Sequence, residues 1–138
     1  MKFTRNASAN WKGGGKDGKG TLTTDSTVLN KTPYSFSTRF EDEKGTNPEE
    51  LIGAAHAGCF TMKLSFVLGE AGYTATNLDT KAKVTFQDGV ISRIDLILTG
   101  EVPNISESEF LSCAENAKLN CPISKLLNTE IVLTAQLV

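Results

Sequence analysis

Several stretches of this chain alternate apolar and polar residues with period two, and others switch to helical spacing. Between 34 and 40, Tyr34, Phe36, Thr38 and Phe40 fall on one side and Ser35, Ser37 and Arg39 on the other, which predicts a strand. Ile94, Leu96 and Leu98 alternate with Arg93, Asp95 and Ile97, so strands are expected over 77–86 and 90–102. Asp88-Gly89 joins them as a two-residue hairpin turn. A last strand, 130–138, alternates Ile131, Leu133, Ala135 and Leu137. Near the start, strands over 7–12 and 20–25 flank the turn Gly13-Gly14-Gly15-Lys16-Asp17-Gly18.

At Thr46 the pattern becomes helical. Asn47 is placed to cap the first free N–H groups, and Pro48 sits where a missing N–H costs nothing. Glu50 completes a capping-box spacing, and Glu49 and Glu50 put negative charge at the positive end of the helix dipole. This helix should stop near Gly69 or Gly72. Its middle, with Gly53, Ala54, Ala55, Ala57 and Gly58, is nearly bare of side chains. Each interior glycine costs about 1 kcal/mol relative to alanine, so close packing must hold the helix, which is expected to be central and buried. A second helix opens at Ser106, with Glu109 three residues on, and runs to Asn120; a short third one covers 122–127. The expected fold is α+β with antiparallel sheets packed around central helices, in one domain over residues 1–138.

Composition narrows the function. A net charge of −2 over 138 residues leaves no basic stripe to neutralise phosphates, which argues against a nucleic-acid partner. The glycines of 13–18 lack the spacing of a dinucleotide or phosphate loop. No apolar run is expected to reach the ~20 residues of a membrane span, and residues 1–6 lack the apolar core of a signal peptide. A cytoplasmic setting without a membrane partner is therefore expected, where the three cysteines stay reduced. They point to thiol chemistry or to core packing.

Cys59 lies in the narrow part of the long helix, where a small buried hydrophobe is the plain alternative to a nucleophile. Cys121 precedes Pro122 at a helix start, where free N–H groups stabilise a thiolate. Cys113 falls on the apolar face of its helix and reads as core. His56 is one turn before Cys59; the pair would suit acyl transfer, and a histidine at a packing seam is the plainer reading. A zinc site from His56, Cys59, Cys113 and Cys121 lacks metal-ligand spacing. Arg39 taken alone is a solvated arginine, and Glu49 a helix-start carboxylate.

Three blocks change this weighing. Asn30 with Pro33-Tyr34-Ser35-Phe36-Ser37-Thr38-Arg39-Phe40-Glu41 is the first. Lys44-Gly45-Thr46-Asn47-Pro48-Glu49-Glu50-Leu51-Ile52-Gly53-Ala54-Ala55-His56-Ala57-Gly58-Cys59-Phe60 is the second, and Asn120-Cys121-Pro122-Ile123-Ser124-Lys125 the third. Together with Gly18-Lys19-Gly20-Thr21 and Leu68-Gly69-Glu70-Ala71-Gly72-Tyr73 they resemble the OsmC branch of the OsmC/Ohr family of osmotically inducible and organic-hydroperoxide-resistance proteins. The resemblance implies a thiol peroxidase in which Cys59 attacks the peroxide and Cys121 resolves it, with Arg39 and Glu49 as polar support. It implies organic hydroperoxides as substrates, no bound cofactor or metal, and an external dithiol as reductant, with a lipoylated protein as the suggested donor. Cys113 has no place in that pattern. Along one helix Glu49 and Cys59 are separated by about 15 Å, so a shared site needs a second copy of the helix, and an intertwined homodimer is expected. A redox-sensing or ligand-binding protein with the same thiols, oxidised once without recycling, is the alternative.

Overall fold

The computed structural model describes all of residues 1–138. Its contacts gather the chain into two compact units, residues 1–51 and 52–138.

In the first unit β1 (Ala7–Lys12), β2 (Lys19–Thr24) and β3 (Thr32–Tyr34) form an antiparallel sheet in that order. Trp11 and Tyr34 close over Gly20, where an added Cβ would lie within 2.6 Å of both rings, so that strand position admits only glycine. The strand expected over 34–40 ends at Tyr34. Phe36–Phe40 is a short helix, α1, whose start is set by Ser35. The Ser35 hydroxyl accepts from the Thr38 N–H, and the Thr38 hydroxyl accepts from the Ser35 N–H, a complete capping box. In a helix Phe36 and Phe40 are four residues apart and meet, with ring centroids 4.9 Å apart. The same five residues satisfy period two and period four, and the cap decides between them.

Helix α2 (Pro48–Glu70) begins as its sequence signals require, with the Asn47 side chain accepting from the Glu50 N–H at 2.8 Å. The Glu50 carboxylate accepts from the Thr46 hydroxyl at 2.8 Å and so does not return to the cap residue. In the second unit β4 (Asn77–Gln87), β5 (Val90–Glu101) and β6 (Glu130–Leu137) make a sheet, with α3 (Glu107–Asn120) and α4 (Pro122–Leu126) between β5 and β6. Asp88 and Gly89 both have positive φ, the turn that the β4–β5 hairpin needs. β6 runs parallel to β5, not antiparallel as expected, because two helices carry the chain back to the starting end of the sheet.

The core of this unit joins Phe60, Leu64, Val67 and Leu68 of α2, Ile94, Leu96 and Leu98 of β5, and Phe110, Ala114 and Ala117 of α3. Residues at 53, 56, 60, 64, 67 and 68 give α2 one buried face. The other carries Ala54, Ala55, Gly58, Met62 and Phe66, all exposed in the single chain. The helix is therefore half-covered where full burial was expected: the outer face is small-sided at Ala54, Ala55 and Gly58 and carries the bulky Met62 and Phe66 further along. By length and composition alone α2 would also suffice to cross a membrane, contrary to the expectation that no run approaches that length.

Candidate functional site

The two cysteines singled out from the sequence, 62 residues apart, meet in the second unit. Cys121 Sγ donates to Cys59 Sγ at 2.8 Å, and both are free thiols. Cys121 is fully buried, while Cys59 is partly exposed. Cys121 ends one helix and starts the next: its N–H bonds to Ala117 O at 2.9 Å, and its carbonyl accepts from the Lys125 N–H at 3.1 Å. Pro122 follows as the first residue of α4, where its fixed φ suits a helix start. An ordinary cap residue would turn its side chain onto the N–H groups of α4. Cys121 makes no such bond. The Ile123 N–H instead faces the Cys59 sulfur and favours its thiolate. The sequence argument that this helix start would serve Cys121 is thus redirected, and the donor faces the other thiol.

Burial pushes the Cys59 thiol up from its ordinary pKa, and the closeness of the Cys121 sulfur adds to the rise. The Ile123 N–H and the Lys63 ammonium act the other way without cancelling it. Neither had been singled out from the sequence. Lys63, four residues after Cys59 and hence on the same face of a helix, was legible there; the Ile123 N–H was not, because it depends on how α4 meets α2.

His56 is fully buried and its pKa is lowered by that burial. Its Nε2 is 2.7 Å from Ser124 Oγ, and Nδ1 has no partner. The imidazole is therefore engaged with α4, and Cys59 takes its hydrogen bond from Cys121, so the Cys–His pair of an acyl-transfer site is not formed. Cys113 is buried in the core, and burial raises its pKa, with Glu109 adding to the rise. No three His, Cys, Asp or Glu side chains converge as a metal site requires. Phe60 points into the core, while Met62 and Phe66 stand exposed on the outer face of α2. A groove of about 690 Å³ runs beside α2, lined by Ala57, Gly58, Thr61 and Met62 and by residues 75–80, and includes neither thiol.

The other two predicted residues meet in the first unit. Arg39, at the end of α1, donates from Nε and Nη2 to Glu49 Oε1 at 2.9 and 2.6 Å. Glu49 Oε2 is buried without a partner. The Asn47 side chain also donates to Thr38 O at 3.2 Å, tying the start of α2 to α1 and setting Arg39 beside Glu49. A doubly bonded guanidinium held by a mostly covered carboxylate is a fixed cation, suited to an oxyanion or a thiolate.

Comparison with known proteins gives one consistent answer. The family model for OsmC-like protein matches residues 41–136. Over 99% of both chains the sequence is 50% identical to the peroxiredoxin OsmC of Escherichia coli (strain K12), and equally so to that of Shigella flexneri. Among solved structures, the organic hydroperoxide resistance protein OhrB of Bacillus subtilis superposes with a TM-score of 0.70 at 24% identity, covering 99% of this chain and 98% of that one. An organic hydroperoxide resistance protein from Elizabethkingia anophelis gives 0.73 at 24% identity, covering 100% and 99%.

Proposed function

This chain belongs to the OsmC-like family, and on that premise we propose that it is a peroxidase that reduces organic hydroperoxides through Cys59 and Cys121. Its 50% identity to peroxiredoxins OsmC supports the peroxidase class. The single observation that carries the two-cysteine scheme is the 2.8 Å approach of the two sulfurs.

The Cys59 thiolate attacks one peroxide oxygen. The O–O bond breaks, the alkoxide leaves and takes up a proton to become the alcohol, and the sulfur is oxidised to a sulfenic acid. Cys121 then attacks that sulfur, water departs, and a disulfide forms. An external dithiol exchanges with the disulfide, returning two thiols and leaving as its own disulfide. A lipoylated protein is the proposed donor, cytoplasmic thiol conditions the proposed setting, and no bound cofactor is required.

The raised pKa of Cys59 calls for a further cation, and Arg39, fixed by Glu49, is the proposed one. Glu49 and Cys59 stand ten residues apart on the continuous helix α2, about 15 Å along its axis. A second copy of the chain must therefore bring Arg39 and Glu49 to Cys59. The exposed small-residue face of α2 suits the close approach of such a copy, and an intertwined homodimer with two equivalent sites follows.

The test is consumption of cumene hydroperoxide over many enzyme equivalents with dihydrolipoamide or dithiothreitol, beside hydrogen peroxide and an acyl ester. Multiple turnover with the organic hydroperoxide, faster than with hydrogen peroxide, is expected. Oxidation that stops after one equivalent would assign a redox sensor instead. A stable, active monomer would remove the shared site.

A further inference from the structure

We propose that His56 and Ser124 form a positioning pair that holds the resolving thiol on the attacking one throughout the redox cycle; the inference rests on the two-cysteine reading above. Three links connect α2 with the corner at the start of α4. Two of them involve the reacting sulfur itself: the thiol contact and the Ile123 N–H to Cys59. Both change when Cys59 gains an oxygen. The third, His56 Nε2 to Ser124 Oγ at 2.7 Å, touches neither sulfur, so oxidation of Cys59 leaves both its partners chemically unchanged.

The sequence positions make this link local to the chemistry. His56 is one turn before Cys59 on α2, and Ser124 is three residues after Cys121 on α4. A clamp between 56 and 124 therefore sits one turn from the bond that must form between 59 and 121. Its polar cost argues for the same role. A fully buried imidazole with Nδ1 unpartnered is an expensive way to fill a core position that an apolar residue would fill better. The bare Nδ1 also selects the tautomer: the proton sits on Nε2 and is donated to Ser124, since a buried N–H without an acceptor is the costlier orphan. Cys121 has no side-chain cap bond of its own, so the corner that presents it is held by its backbone bonds, by Ile123 packed against the core, and by this clamp.

The experiment uses the full chain with Ser124→Ala, His56→Leu and His56→Gln, the last keeping an N–H donor near the Nε2 position. Reduced protein meets one equivalent of cumene hydroperoxide. Sulfenic acid is counted by dimedone capture and disulfide by loss of free thiols. Separately, the reduction potential of the pair is measured against a dithiothreitol redox buffer. Loss of one net hydrogen bond predicts sulfenic acid formation within about twofold of the parent and disulfide closure slowed about three- to tenfold in Ser124→Ala. Joining 59 to 121 holds 56 and 124 together, so the clamp is tighter in the disulfide than in the dithiol, and its loss should raise the potential by about 15 to 30 mV, the same factors converted for a two-electron couple. His56→Gln should recover most of both.

Parent-like closure and potential in Ser124→Ala would overturn the proposal, as would equal slowing of both steps or a His56→Gln no better than His56→Leu. Because Ser124→Ala removes only a hydroxyl, it decides the matter even where His56→Leu fails to fold. If the parent itself forms no sulfenic acid, the peroxidase reading falls, and the potentials alone still judge the clamp.

Discussion

Two five-residue helices in this molecule, α1 and α4, start in contrasting ways. Ser35 turns its hydroxyl back onto the Thr38 N–H, so the start of α1 is satisfied within its own chain segment. Cys121 holds the equivalent place before α4 and leaves the cap open, and the Ile123 N–H goes to the Cys59 sulfur. The closed cap builds a support, which carries Arg39 to Glu49. The open cap leaves a donor for the Cys59 sulfur. A residue type that caps poorly is therefore useful where a helix start must serve another group.

The largest effect is expected at the sulfur that receives this donor. Cys59→Ser should abolish peroxide loss altogether, measured with cumene hydroperoxide and dithiothreitol. Cys121→Ser should preserve the first equivalent of peroxide reduction and stop dithiol-driven turnover; continued steady turnover would contradict the two-cysteine scheme.

Next in size is the cation that α1 carries. Burial raises the Cys59 pKa, so near neutrality the thiol form dominates, and the rate of the first step should climb as pH rises through that pKa. With Arg39 beside the thiol as proposed, replacing it with glutamine should raise the Cys59 pKa further and move the rate profile to higher pH by about one unit or more, followed by thiolate absorbance. An unchanged profile would separate Arg39 from the thiol. The smallest effect concerns the closed cap: Ser35→Ala should cost about 1 kcal/mol in urea unfolding, and no change would mean that α1 does not depend on it.

The contrast also explains which elements were legible. The Asp88-Gly89 hairpin, the Asn47 and Ser106 caps and both long helices follow local rules, and they stand within a residue or two of where those rules place them. The α1 segment does not, because Tyr34 to Phe40 fits two periods and only the Ser35–Thr38 hydroxyl exchange selects one. The parallel seating of β6 was likewise invisible, since the alternation of Ile131, Leu133 and Ala135 is the same for either strand direction.

By itself the sequence determined the family, the four candidate residues and the arithmetic that separates Glu49 from Cys59, since motif identity and helix rise are carried by residue order. Tertiary structure alone decided that Cys121 meets Cys59, that the free N–H of α4 faces the latter, and that His56 engages Ser124. Those contacts join segments more than 60 residues apart, and no local propensity links such segments until a shared core brings them together.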